Sequence, residues 1–362
     1  MPTARPGWAG TTRPLIGMAV VIVVLLVSGW GTFFAVVLPG GYLVNGQETF
    51  STGLAVTAFT LGLRHALDPD HIAAIDNTTR KLVADGRRPV TVGFWFALGH
   101  STVVIVTVVL LAAGSNLLAA QIAADDSALQ SFAGVWGVLV SGLFLMIIGL
   151  INLASLHGIW RVFRGMRDGQ LDERQLEQSL QARGLMARIL GPVARQVDRP
   201  WKMYVVGVLF GLGFDTATTI ALFLVGGAAA LTAPWYVVLV LPVLFTAGMT
   251  LVDTLDGVIM RHAYGWAFAA PVRKVYYNLT ITLISIAVAF LVAALGIGGL
   301  LARVSNSRSG VLGWIGGLDI ENLGYLIVVV LVLAWVASFA YWKLGKVEKR
   351  YSTTTVRSDR VD

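Results

Sequence analysis

Cysteine is absent from the 362 residues, which excludes disulfides, zinc ribbons, iron–sulfur clusters and thiolate sites for soft metals such as Cu(I). Charge is scarce as well: Asp, Glu, Lys and Arg make up 13% of the chain, against 56% hydrophobic residues. No Gly-x4-Gly-Lys-Ser/Thr run occurs, so the chain has no ATP-binding loop of that type, and no His-Glu-x-x-His motif occurs either. Histidine is limited to five residues.

What is abundant is uninterrupted apolar sequence, in runs longer than the roughly 18 to 20 residues that cross a bilayer. Runs over 14–38, 50–79, 90–113, 130–157, 201–226, 235–260, 275–301 and 319–342 predict an all-α, polytopic integral membrane protein with eight transmembrane helices. In lipid each segment must satisfy its own backbone groups, which leaves the helix as the economical solution. The first run is long for a signal peptide and lacks a clean small-residue cleavage site, so it reads as a span. Four units follow: residues 1–157 with spans one to four, a soluble stretch 158–200, residues 201–342 with spans five to eight, and a tail 343–362. Within the soluble stretch, "DERQLEQSLQARGLMARIL" interleaves charges with Leu at helical spacing and reads as a short interfacial helix or a plain basic linker.

With both termini placed in the cytoplasm, every Lys and Arg except Arg64, Arg303 and Arg308 falls on the cytoplasmic side. The formal charge of +7 is then a topological signal with some attraction to anionic lipid, and it calls for no nucleic acid. The expected location is a bacterial-type cytoplasmic membrane. "LGLRHA" in the second span and "LGFDTA" in the fifth, with "LGHST" and "AGMTL" one span later, suggest a weak inverted repeat.

Ionisable residues inside spans are costly, about 2.5 to 3.5 kcal/mol each even on the lenient insertion scale. Here they gather in four clusters: "RHALDPDHI", "FALGHSTVV", "LGFDTATTI" and "GMTLVDTLDG". Asp68, Asp70, Asp215, Asp253 and Asp256 stand against Arg64 alone, so the surplus negative charge must be balanced by protons, a bound cation or both. Imidazole nitrogen with carboxylate oxygen and no sulfur suits Ni, Co, Zn or Mn rather than Ca or Mg.

On a straight helix His65, Asp68 and His71 fall at about 0°, 300° and 240°, one face, while Asp70 points away at about 140°. Pro69 removes an N–H and clashes with the preceding turn, so the helix should kink or break, freeing carbonyls and swinging Asp70 toward the site. The metal candidates are His65, Asp68, Asp70, His71 and His100. Arg64, Asp215, Thr216, Asp253 and Asp256 are candidates for support or for the ion pathway. For each there is a plainer possibility: histidines bonding across helices, Asp215 or the Asp253–Asp256 pair capping a broken helix, and Arg64 serving as counter-ion, since a guanidinium binds no metal. His157 and His262 are expected at interfaces.

At these four clusters the chain resembles the nickel/cobalt transporter family of eight-span secondary carriers. The family hallmark His-x4-Asp-His is matched by His65, Asp70 and His71, and the other signatures by Phe96–Val104, Leu212–Ile220 and Gly248–Gly257. The resemblance implies uptake of Ni(II) or Co(II) as transported substrate with no permanent cofactor, with His65, Asp70 and His71 essential and the His100 region setting metal preference. Two positions depart from the family pattern: Pro69 stands where Ala is usual, and Thr219 where an acidic residue is usual. Two alternatives remain: export of the same metals, whose carriers often bear a His-rich loop that 158–200 lacks, and an intramembrane metalloenzyme, for which the core spans offer no Glu as general base.

Overall fold

The computed structural model describes residues 11–44, 48–113, 121, 127–167, 197–213, 233–267, 271–307 and 309–318, with scattered residues between 325 and 340. Among them the chain is helical apart from one minimal antiparallel pair, β1 (Leu43–Val44) and β2 (Glu48–Thr49), in the link after the first helix. The helices are α1 (Thr12–Gly40, with a π-helical segment Phe33–Val37), α2 (Thr52–His65), α3 (Pro69–Ala84), α4 (Val92–Ala112) and α5 (Ala128–Arg167). They continue with α6 (Met203–Gly211), α7 (Trp235–Val238), α8 (Val240–Ala267), α9 (Pro271–Val304) and α10 (Gly310–Gly316).

Five stretches are long and apolar enough to cross a membrane: Thr12–Gly40, Val92–Ala112, Ala128–Leu153, Trp235–Tyr264 and Thr282–Val304. They coincide with the first, third, fourth, sixth and seventh predicted spans. The second span is divided into α2 and α3, each too short to cross alone. Only the start of the fifth predicted span, α6, and isolated residues of the eighth are described, so these two predictions lie largely outside the described residues, as does the helix predicted in 158–200. α5 runs ten residues beyond the expected span end, because nothing in "GIWRVFRGMR" stops a helix once it leaves lipid.

Burial ranks the helices. The most apolar window of α1 is 22% buried and that of α7–α8 is 67% buried, so α8 is central and α1 peripheral. Leu241, Leu244, Phe245 and Met249 of α8 pack with Ala55 and Ala58 of α2 and Ala97 and Val104 of α4. A second cluster joins Ile72–Ile75 of α3 to Phe96 of α4, Leu145 of α5 and Val288 and Ala289 of α9. Valines 20, 23, 24 and 27 on the outer face of α1 are exposed, the surface that lipid would cover.

Glycine lets backbones meet at three helix crossings. A methyl group on Gly62 would overlap the Phe245 carbonyl, and one on Gly248 the Phe59 carbonyl, so α2 and α8 touch main chain to main chain. The same happens between α4 and α6: Gly207 against the Phe96 carbonyl and Gly99 against the Tyr204 carbonyl. Thr102 Oγ1 and the Tyr204 hydroxyl, 2.9 Å apart, add a polar tie between that pair. Gly93 of α4 abuts the Asp253 carbonyl of α8. At the entry to α6, Lys202 Nζ lies 2.7 Å from Asp198 Oδ1, and its hydrogen bond holds that carboxyl below the usual carboxylate range.

Candidate metal centre

The break in the second span is built by its own sequence. Ser51 Oγ accepts the Leu54 N–H and starts α2. Leu67 N–H then donates to the Arg64 carbonyl at 2.9 Å and Asp68 N–H to the His65 carbonyl at 3.0 Å, tightening the last turn. Asp68 is extended, with ψ at 141°, as the residue before a proline must be. Pro69 restarts the chain as the first residue of α3, where its missing N–H costs nothing. The predicted break is therefore present at Ala66–Asp68.

The break turns His65, the last residue of α2, toward His71 in the first turn of α3, with ring centroids 4.7 Å apart. His100 of α4 completes the group, 4.8 Å from the His65 ring and 4.9 Å from the His71 ring. All three are buried, and one ligand atom from each lies within 4.8 Å of the others. A first-row ion with metal–nitrogen bonds of about 2.1 Å holds its ligand atoms roughly 3 to 3.5 Å apart. His65 Nε2 and His100 Nε2 already stand at 3.0 Å.

The other ring nitrogens face carboxylates. His65 Nδ1 is 2.9 Å from Asp68 Oδ2, and His71 Nδ1 is 3.5 Å from Asp253 Oδ2. Asp253 is fully buried and neither of its oxygens has a hydrogen-bond partner. A carboxylate behind an imidazole fixes the tautomer and leaves the far nitrogen to face an ion. Phe96 stands edge-on to His71 at 4.8 Å and Phe245 lies 5.5 Å from His65, apolar walls that keep the local dielectric low. Gly99, Gly207 and Gly211 bring α6 against the α4 backbone around His100, which fixes that imidazole's depth.

Each residue singled out in the sequence can now be placed. His65, His71 and His100 come together. Asp68 and Asp253 sit behind two of them, a position the straight-helix geometry hid because it put Asp68 on the same face as both histidines. Asp70 is half-buried and accepts the His71 backbone N–H at 3.0 Å, so its carboxylate caps the start of α3 beside the imidazole group. Asp256 lies farther along α8 with one buried oxygen unpartnered. Arg64 is half-buried at the end of α2. His262 bonds through Nδ1 to the Val258 carbonyl of its own helix at 2.8 Å. Asp215, Thr216 and Thr219 lie outside the described residues. Sequence reasoning passed over Asp76, five residues beyond His71 and buried, and over the buried, unpartnered hydroxyls of Thr246 and Thr250 on α8. Asp76 carried the same signal as its neighbours, a carboxylate inside an apolar run.

No solved structure matches the chain. A nickel transporter from Mycobacterium tuberculosis is 48% identical over 94% of this chain and 92% of its own length. A high-affinity nickel transport protein from Cupriavidus necator is 44% identical over 84% of this chain and 86% of its own. A cobalt transport protein from Rhodococcus rhodochrous is 37% identical over 92% and 94%. These are transport proteins rather than enzymes. The profile described as NicO, high-affinity nickel-transport protein, matches residues 51–341, a range that takes in all three clustered imidazoles, and on that match the chain belongs to the NicO family of membrane transporters.

Proposed function

We propose that the protein is a secondary carrier that brings Ni(II) or Co(II) into the cell across the cytoplasmic membrane. The observation that carries this reading is the meeting of three buried imidazoles from three helical segments beside the buried carboxyl of Asp253, whose oxygens have no hydrogen-bond partner. An incoming hydrated ion exchanges water for His65, His71 and His100, while Asp68 and Asp253 orient the first two and supply negative charge. Asp70 meets the ion beside His71, Arg64 balances the acidic group, and Asp256 offers oxygen on the way out. Asp215 and Thr216 of the fifth span belong to the same pathway. Nitrogen ligands favour borderline first-row ions over Mg(II) and Ca(II).

In this reading eight spans carry both termini on the cytoplasmic side, in line with the distribution of Lys and Arg. The inside-negative potential favours entry of a divalent ion by about 4.6 kcal/mol per 100 mV, so no nucleotide is needed. An inverted repeat is supported by the reciprocal glycine crossings, since Gly62 on Phe245 with Gly248 on Phe59 mirrors Gly207 on Phe96 with Gly99 on Tyr204. That register pairs Gly62 with Gly207, whereas the echo "LGLRHA"/"LGFDTA" pairs it with Gly213. It also aligns Asp70–His71 with Asp215–Thr216 in sequence.

Accumulation of radioactive nickel and cobalt in cells expressing the wild type and His71→Ala tests the proposal. Uptake above that of empty cells, abolished by the substitution, is expected. Depletion of the metals would identify an exporter, and absence of nickel or cobalt binding to the purified protein by calorimetry would end the reading.

A further inference from the structure

Beyond the imidazole group, α3 carries three buried polar side chains that reach three other helices. Asp76 accepts hydrogen bonds from the Tyr264 hydroxyl of α8 and, at 2.7 Å, from Ser285 Oγ of α9. Asn77 Oδ1 accepts from Asn152 Nδ2 of α5 at 2.7 Å. One turn farther along, Arg80 Nη1 donates to Thr282 Oγ1 of α9 at 2.6 Å. Asp76 with Arg80, and Ser285 with Thr282, are each spaced one turn apart, so two helices are buttoned together twice along facing stripes.

These polar ties supplement the apolar packing of Ile72–Ile75 and Leu82, and they differ in kind from the glycine contacts among α2, α4, α6 and α8. There main chain presses on main chain across glycine, and little sliding is possible without steric overlap. The bonds of α3 can be exchanged for bonds to water at small net cost. The same stretch also buries groups that no partner satisfies: the hydroxyls of Thr78 and Thr79, and Arg80 Nε and Nη2. Those groups gain hydrogen bonds if water enters, which offsets part of the loss of the polar ties. The turn at Ala66–Asp68 gives α3 a natural pivot, since no helical hydrogen-bond ladder runs continuously through it.

We propose that Asp76, held by Tyr264 and Ser285, is a positioning residue for transport: it clasps α3 where His71 meets His65 and His100, and its release lets α3 swing on the Ala66–Asp68 turn to admit water from the Arg80–Arg88 end. The inference rests on the histidine group being the ion's station. Asp76 touches no ion; it sets where His71 stands and when the ion can leave.

The natural absence of cysteine makes the test direct. Thr79→Cys introduces a single thiol on the buried face of α3, and its rate of reaction with a membrane-impermeant maleimide is measured in inside-out vesicles. Tyr264→Phe and Ser285→Ala, each combined with T79C, remove one hydroxyl apiece while keeping bulk. Ser285→Ala is the milder change and serves if Tyr264→Phe fails to fold. The expected result is labelling roughly tenfold faster in either background, the shift expected of losing one hydrogen bond, with nickel binding by calorimetry within about threefold of the parent and uptake changed in kcat rather than KM. Unchanged labelling in the folded variants overturns the clasp, as does loss of nickel binding without faster labelling. Labelling is read without metal, so an absence of nickel binding in the parent chain would count against the histidine station alone.

Discussion

Three imidazoles converge, and the nitrogen each turns away from the centre distinguishes them. His65 Nδ1 stands 2.9 Å from Asp68 Oδ2 and His71 Nδ1 3.5 Å from Asp253 Oδ2, an arrangement that in a metal-loaded centre would leave Nε2 of each to face the ion. His100 has no carboxylate at Nδ1 among the described residues, so its orientation rests on packing and on its Nε2 contact with His65. Asp253→Asn keeps the volume and removes the charge. In the proposed centre it should weaken nickel binding by about 10- to 100-fold, the usual effect of losing a carboxylate behind a ligating histidine, as calorimetry on the purified protein would read. Asp256→Asn, farther along α8, should leave binding affinity within about threefold of the parent while slowing uptake, if Asp256 serves the proposed pathway rather than the imidazole group; equal losses of affinity in both variants would place both carboxylates at one site.

At the scale of elements, the broken second span and the glycine crossings carry the architecture. Pro69 marks the start of α3, but Asp68 is also the N-cap of that helix, a position that is extended with or without a following proline, and the preceding turn is closed by its own backbone bonds. Pro69→Ala should therefore leave nickel uptake within about twofold of the parent, because alanine is accepted at a first helical position. Complete loss would show that the ring itself holds the break open. Gly207→Ala is expected to behave very differently. Its methyl would overlap the Phe96 carbonyl, whereas the same change at Gly17, which has open space around it, only removes a helix-weakening residue. Thermal unfolding in detergent should show Gly207→Ala destabilised by at least about 2 kcal/mol, as overpacking is. Gly17→Ala should be equal to the parent or up to about 1 kcal/mol more stable.

At the scale of the whole molecule, burial separates a peripheral helix from a central one, and the proposed orientation and driving force can be tested directly. The outer face of α1 is exposed, as a lipid-facing surface would be, while α8 is enclosed among its neighbours. If the inside-negative potential drives the ion, a potassium diffusion potential imposed on proteoliposomes should raise initial nickel uptake when negative inside, and collapsing it with an uncoupling ionophore should remove the increase. A rate indifferent to potential would instead point to coupled movement of protons. Reporter fusions at both termini should be active only in the cytoplasm, as the positive-inside pattern requires.

The sequence by itself determined the membrane class, most span positions, the break at Pro69 and the residue types of the centre. These are local properties: hydropathy over twenty residues, the conformational limits of a proline, and the cost of placing imidazole and carboxylate in lipid. Tertiary structure alone decided which of the polar residues meet. Spacing on a straight helix placed Asp68 beside the histidines as an equal, while the fold sets it behind His65 and brings Asp253, distant in sequence, behind His71. Asp76 was as visible as its neighbours in the same stretch, but its partners Tyr264 and Ser285 lie on two later helices. Which helices cross is decided by where glycine allows backbones to touch, and those contacts join residues more than a hundred positions apart, beyond the reach of any local pattern.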